Sequence, residues 1–327
     1  MSSEPAPSSR QNVLTVVGPT AVGKTAVAIA LARSTGAEIV SADSRQVCRG
    51  LDVGTAKPTI EERRLVRHHL IDIDDPSEDY DAARFAADAE AAIADIGARG
   101  LVPLVVGGTG FYVASLFEGL FEGPGRDPEV RANLAERAAT EGVEALHGEL
   151  AGVDPASARR IHVNDTSRIV RALEVYATTG TPLSEWHAGP GRTPAFTARY
   201  VGLTLPRETL RTRIDRRVDA MMAGGLLDEI GRLVSTGALS SAMPAANAVG
   251  YRELLPIVEG GEGSTDEAVE LIKRNTRRYA KRQMTWFRSI EGIEWFDLGG
   301  VAPGEAARAI LASAGEPGGP TPDRPAR

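Results

Sequence analysis

The segment GPTAVGKT, residues 18–25, sets Gly18, Gly23, Lys24 and Thr25 at the spacing of a phosphate-binding loop. In such a loop the backbone of Gly18, Pro19, Thr20, Ala21, Val22 and Gly23 wraps an anion, and the following helix N-terminus faces it. Lys24 adds a mobile positive charge, and the Thr25 hydroxyl is placed to coordinate Mg²⁺. The motif identifies a phosphate chain and leaves open what is attached to it. A guanine-specific GTPase would usually carry an Asn-Lys-x-Asp element, and none is present. An ordinary ATPase would often end a later strand in an acidic metal partner. Here LVPLVV runs into GGTGFYV, which offers backbone N–H groups and the Thr109 hydroxyl, although Asp72 in HHLIDID could still supply a metal ligand.

Asp43, in SADSRQ, follows a strand pattern and should face the phosphate loop. Two readings stand: a capping or Mg²⁺-shell aspartate, or a proton acceptor for a nucleophile brought to the phosphate-bearing substrate. Arg213 and Arg217, four residues apart in RETLRTRIDRRVDAMM, share one helix face. They could hold an anion, or pair with Asp215 or Asp219 at the surface. Residues 271–288 contain seven Lys or Arg and no acidic residue, a basic stripe suited to RNA phosphates or to a solvated helix face. Val269, Ile272, Thr276, Tyr279 and Met284 can form its inward side.

Several elements must position these groups. NVLTVVG (12–18), AEIVSADS (37–44), HHLIDI (68–73) and LVPLVVGG (101–108) read as strands. KTAVAIALARSTG (24–36) and residues 81–100 read as helices that close on glycine. The alternation predicts an α/β fold, a P-loop-NTPase-like parallel sheet flanked by helices, with ligands beyond the carboxyl ends of the strands. Gly18, Asp43 and Gly107 all fall there. Residues 121–197 switch to short helices with Asp127, Asp154 and Asn164 as caps, which predicts a helical insertion domain. Strand pattern returns at 198–205, and helices follow at 207–223, 225–235 and 265–289. The core is thus expected over 12–120 and 198–312. Residues 1–11 read as a disordered leader and 313–327 as a disordered tail.

The 327 residues suffice for one large core with a smaller domain. A net charge of −7 argues only weakly against nucleic acid, because the basic residues are concentrated. One cysteine, Cys48, excludes an internal disulfide or cysteine-rich metal site. No apolar run is long enough to span a bilayer, and the expected location is the cytoplasm.

The segments GPTAVGKT, SADSRQV, DVGTAKP, HHLIDI, VVGGTGFYV, ARRIHVNDTSRIVRALEVY, AVGYREL and KRQMTWFR occur in an order that resembles the tRNA dimethylallyltransferase (tRNA isopentenyltransferase) family, bacterial type. The resemblance covers roughly residues 12 to 300. It implies that the loop holds the diphosphate of dimethylallyl diphosphate and that no ATP is consumed. The prenyl group would pass to N6 of the adenosine 3′ to the tRNA anticodon. Mg²⁺ is the implied cofactor, tRNA the partner, and a monomer the implied state. By resemblance Asp43 is the general base, Arg217 contacts the diphosphate, and Thr109 lies near the target adenosine.

RNA contacts are likewise implied for Asp43, Ser44, Arg45 and Gln46, for Thr109 and Arg131, and for Ser167, Arg168, Ile169, Val170 and Arg171. Asn247, Gly250, Tyr251 and Arg252 form a further group. The last comprises Lys281, Arg282, Gln283, Met284, Thr285, Trp286, Phe287 and Arg288, where Trp286 could stack on a base or pack. Cys48 stands where relatives commonly carry tyrosine, and Asn247 where they tend to carry Arg or Gln. The zinc finger of eukaryotic relatives cannot be built from one cysteine, and His68 and His69 read as structural, so no zinc is expected. Three other functions fit the loop alone: a small-molecule kinase, a free-nucleotide prenyltransferase and a non-catalytic RNA-binding protein with a relic loop. A kinase would turn over ATP without RNA and leave the later motifs unexplained, and the insertion and the basic helix would be superfluous in a free-nucleotide prenyltransferase. Retention of Lys24, Thr25 and Asp43 together speaks against the third.

Overall fold

A computed structural model describes residues 10–119, 123–189 and 191–315. Six strands form one parallel sheet in the order β3-β2-β4-β1-β5-β6. They are β1 (Gln11–Val17), β2 (Ala37–Ala42), β3 (His68–His69), β4 (Val102–Gly107), β5 (Phe196–Thr204) and β6 (Glu294–Asp297). The central strand β1 pairs with β4 on one side and β5 on the other. Between the early strands lie α1 (Lys24–Thr35), α2 (Ile60–Leu65) and α3 (Ala82–Ala98), and α4 (Gly110–Phe117) follows β4.

Local chemistry explains these boundaries. Gly36, at φ 69°, closes α1 with its N–H on the Ala32 carbonyl. Asp81 caps α3 by accepting from the N–H groups of Ala83 and Arg84. β3 is much shorter than the 68–73 pattern suggests. Leu70 and Asp72 take left-handed φ of 61° and 58°, which ends the pairing. The chain instead bonds back to the 46–48 segment through Asp72 N to Gln46 O and Ile73 N to Val47 O.

One apolar core lies between the sheet and two helices distant in sequence, α1 and the terminal α14 (Pro303–Gly315). Val27, Leu31, Ile39, Leu104, Val201 and Ile310 are all buried in it. On the other face α3 and α4 pack together, with Phe85 and Tyr112 stacked at 4.4 Å between ring centroids. The sheet unit comprises residues up to Phe117 and from Ala195, while Glu118–Pro194 forms a second compact unit.

That second unit is helical: α5 (Pro128–Thr140), α6 (Val143–Val153), α7 (Pro155–Arg160), α8 (Thr166–Thr179) and α9 (Leu183–Ala188). They enclose Leu134, Leu146, Leu150, Ile169 and Leu173. Asp127 and Asp154 cap α5 and α7 as read from the sequence. Asn164 does not cap α8: Asp165 does, accepting from Arg168 N.

The remaining helices return to the sheet unit as α10 (Arg207–Ala223), α11 (Leu226–Ser235), α12 (Tyr251–Val258) and α13 (Thr265–Arg288). Small differences from the expected boundaries have clear causes. Gln11, Phe196 and Thr197 belong to the sheet because β1 and β5 pair through them. α14 continues to Gly315, whereas residues 1–9 and 316–327, the bulk of the expected leader and tail, lie outside the described residues.

Candidate active site

The carboxyl ends of β1, β2 and β4 converge, which brings the phosphate loop, Asp43 and the GGTG segment together. A cavity of about 500 Å³ opens there, bordered by Thr20, Gly23, Lys24, Thr25, Asp43, Arg213, Arg217 and Tyr279. A second, of about 370 Å³, is bordered by Ser44, Arg45, Gly54, Asn247, Arg252, Arg278 and Arg282. Both also include Thr20, Asp43, Thr55, Arg217 and Tyr279. Asp43 therefore stands at a junction between a phosphate-loop chamber and an arginine-rich one.

Asp43 is fixed by its own turn. Its Oδ1 accepts the N–H groups of Arg45 at 2.9 Å and Gln46 at 3.3 Å, while Oδ2 accepts no hydrogen bond among the described residues. The capping reading thus holds for one oxygen, and the carboxylate still borders the cavity. Thr109 ties the neighbouring strand end to this turn: its Oγ1 accepts from Ser44 N at 3.1 Å, and its own N–H reaches Ala42 O. Tyr279 adds its hydroxyl beside Thr109. Burial, reinforced by the Asp43 charge, pushes that phenol up to about 12, so it remains a proton donor at neutral pH.

On the phosphate side, Lys24 Nζ donates to the Gly18 and Pro19 carbonyls at 2.9 and 2.8 Å. Burial pushes this ammonium down to about 7, with Asp43 opposing the shift and Arg217 adding to it. Burial likewise lowers Arg217, with Asp43 pulling the other way. Arg213 donates to Val22 O at 3.2 Å. The carboxylates on the same helix, which would otherwise neutralise these arginines, are engaged from α13: Asp215 pairs with Arg277, and Asp219 with Lys273 at 2.8 Å. α13 thus leaves Arg213 and Arg217 to the cavity, and two of its seven basic residues are engaged in doing so.

The basic stripe therefore divides. Arg274, Arg278, Lys281, Arg282 and Arg288 are exposed. The inward face carries Ala268, Ile272, Ala280, Gln283 and Phe287, so Val269, Thr276, Tyr279 and Met284 only flank it. Gln283 is the surprise. It is buried, accepts Thr20 N at 2.8 Å and donates to Gly108 O at 2.9 Å. It braces the phosphate loop against the end of β4 and has no surface for RNA. A Cβ on Gly108 would come within 2.4 Å of its amide, and one on Gly110 within 2.2 Å of the Trp286 ring. Glycine at both positions lets α13 approach this closely. Trp286 packs on Gly110 and keeps 38 % of its surface exposed.

Other residues assigned to RNA by resemblance are also inside. Phe287 and Tyr251 are fully buried, Gly250 is buried, and Ile169 and Val170 belong to the core of the helical unit. The Phe287, Tyr251, Ile169 and Val170 side chains face protein rather than solvent. Ser167 and Arg168 are exposed. Arg131 and Arg171 both reach the buried Glu174 carboxylate, at 2.9 and 3.1 Å. Asn247 and Arg252 are exposed, and Thr285 bonds back to Lys281 O at 3.0 Å. The Asp72 carboxylate is paired with Lys57 and Arg63. Among the described residues no cluster of three His, Cys, Asp or Glu could hold a metal ion, and no helix is long and apolar enough to cross a membrane.

Sequence reasoning overlooked the functional placement of Tyr279 and the bracing role of Gln283. A polar residue on the apolar face of α13 was the one signal for Gln283.

Residues 46–290 match the family described as IPP transferase, and residues 11–76 the one described as isopentenyl transferase. A tRNA dimethylallyltransferase of Anaeromyxobacter dehalogenans (strain 2CP-C) is 52% identical over 280 residues, 86% of this chain and 93% of that protein. One from Geobacter metallireducens is 49% identical, covering 89% of this chain and 94% of that protein. Among solved structures, the full-length tRNA isopentenylpyrophosphate transferase of Bacillus halodurans is similar with a TM-score of 0.68 and 40% identity, over 93% of this chain and 96% of that one. A eukaryotic dimethylallyltransferase acting on tRNA gives a TM-score of 0.77 at 29% identity, over 93% and 78%. With matches of this extent, the chain belongs to the tRNA dimethylallyltransferase (IPP transferase) family of prenyltransferases.

Proposed function

We propose that this enzyme transfers the dimethylallyl group of dimethylallyl diphosphate to N6 of the adenosine 3′ to the tRNA anticodon, releasing diphosphate. The observation that carries this reading is the position of Asp43, shared by the phosphate-loop chamber and the arginine-lined one. Donor and acceptor can enter from the two sides and meet at one carboxylate. A base stacked in an anticodon loop must swing out to reach it.

The N6 lone pair is delocalised into the purine, so the amine is a weak nucleophile. As N6 bonds to C1 of the donor, Asp43 accepts the N6 proton, an assistance worth a factor of about 10² to 10⁴. The allylic C–O bond breaks and its electron pair goes to the diphosphate oxygen. The loop amides, Lys24 and Arg217 meet the growing charge. Thr109 keeps the Asp43 turn in register. The Thr25 hydroxyl borders this cavity, a hard-oxygen donor that would suit Mg²⁺ brought in with the diphosphate. Bound there, Mg²⁺ would supply charge neutralisation to the leaving group. The exposed basic residues of α13, with Arg45, Asn247 and Arg252, supply phosphate and polar contacts to the RNA. We place the enzyme in the cytoplasm, with its tRNA substrate, as a monomer.

The test incubates an unmodified tRNA carrying adenosines at its target position with the protein, Mg²⁺ and dimethylallyl diphosphate, without ATP. Nucleoside mass spectrometry should show an isopentenyl-sized gain on one adenosine. ATP turnover with no RNA product would overturn the reading in favour of a kinase.

A further inference from the structure

We infer that Glu229 is a positioning residue for the acceptor side of the site, acting through the 52–57 loop. This rests on the acceptor assignment made above. Glu229 sits on α11, away from both cavities, and is 2% exposed. Its Oε2 accepts the backbone N–H of Asp52 at 3.0 Å and of Val53 at 2.8 Å. Its Oε1 accepts Gly54 N at 3.3 Å and the Tyr251 hydroxyl at 2.6 Å. One buried carboxylate thus holds three consecutive amides and a phenol. A carboxylate in this setting is strongly held, because removing it would leave three part-buried amides and one buried hydroxyl without their acceptor.

The loop it holds is closed on itself. Lys57 Nζ pairs with Asp52 at 2.8 Å, and Lys57 N bonds to Asp52 O at 3.1 Å. Lys57 Nζ also pairs with Asp72 and donates to the Cys48 carbonyl, which anchors the ring to the neighbouring segments. Tyr251 packs closely on Gly54, where a Cβ would come within 2.5 Å of its ring. On the cavity side, Gly54 and Thr55 form part of the acceptor wall. The Thr55 and Ala56 carbonyls, both at 3.3 Å, accept the Gln46 side-chain amide, and Gln46 N donates to Asp43 Oδ1. The chain of contacts runs from Glu229 through the ring to Gln46 and Asp43. Thr55, Gln46 and Asp43 also border the phosphate-loop chamber, but among the described residues no link of the chain hydrogen-bonds to residues 18–25. Glu229 therefore sets where the acceptor wall stands relative to the base without holding the donor.

Glu229→Gln replaces an acceptor oxygen by an amide donor facing backbone N–H groups. Tyr251→Phe removes one hydrogen bond and keeps the packing. Both are assayed beside wild type for RNA prenylation, for diphosphate affinity, and for amide exchange at residues 52–54. E229Q should raise KM for tRNA about tenfold and lower kcat severalfold, with diphosphate affinity within about twofold and exchange at 52–54 accelerated. Y251F should shift the same quantities in the same direction by less. Equal losses of tRNA and diphosphate binding in both variants would mean general destabilisation and would overturn the proposal. So would accelerated exchange with unchanged kinetics. Absence of product from wild type itself would instead overturn the functional reading, and is distinguished from these outcomes by that control.

Discussion

The two chambers that meet at Asp43 are built by different means. The phosphate-loop side is largely one continuous stretch, Gly18 to Thr25, shaped by its own backbone and by the strand and helix it joins. The acceptor side is assembled from separated pieces: the Asp43–Gln46 turn, the 52–57 ring, residues 247–252 and one flank of α13. Those pieces are held by side chains, among them Glu229, Lys57 and the α10–α13 ion pairs. A backbone-built anion site is robust to most surface changes, whereas a wall of side-chain contacts can be displaced by changing one residue far from the chemistry. Gln283 joins the two, since it braces the phosphate loop from the helix that also carries the RNA stripe.

The largest expected effect breaks the junction. Asp43→Ala should lower turnover by about 10² to 10⁴ while tRNA and diphosphate binding stay largely intact. Single-turnover kinetics beside binding titrations would check it, and unchanged turnover would remove Asp43 as the base. Next comes the brace. Gln283→Leu strips two partners from the phosphate loop and β4 end, leaving Thr20 N and Gly108 O unmatched, which should destabilise the fold by about 1–3 kcal/mol. Diphosphate affinity should fall with it, and calorimetry would read both.

A subtler expectation concerns pH. Lys24 is lowered to about 7 in the free protein by burial, and a bound diphosphate favours its charged form. Diphosphate binding should therefore take up a proton near neutral pH and weaken as pH rises above about 7. Comparing binding heats in buffers of different ionisation enthalpy would show the uptake, and Lys24→Met should abolish that part of it. The smallest effect belongs to the half-exposed Arg277–Asp215 pair: Arg277→Ala should change stability by no more than about 1 kcal/mol in thermal unfolding.

The same contrast governs what could be read in the residues beforehand. The parallel sheet, the phosphate loop and the placement of Asp43 and Thr109 beyond strand ends rest on short-range signals, namely apolar runs, glycines and caps. These act within a few residues and survive into the fold. The inward turn of Gln283 depends on a partner at Thr20, 263 positions away, and no local pattern announces it. Tyr251 and Phe287 sit in motifs that resemble an RNA surface, yet tertiary packing buries them. β6, EWFD at 294–297, is not announced by its sequence, because four residues at a sheet edge carry too little periodicity. Asp165 displaced Asn164 as a cap by one position, a difference that propensity alone does not resolve.

The order of pairing in the sheet has a consequence for synthesis on the ribosome. The strand that feeds the phosphate loop lies between β4 and β5, and Gln11 finds its partner only in Phe196. The helix that follows the loop is covered by Ala306, Ala307 and Ile310 near the other end of the described chain. A nascent chain must therefore carry an unsealed β1 edge and a bare α1 face while most of the polypeptide is still being made. Contacts of such long sequence separation form slowly and expose apolar surface meanwhile. Chains terminated before α14 should emerge as substrates for chaperones and proteases, with an intact phosphate-loop sequence and no formed phosphate site.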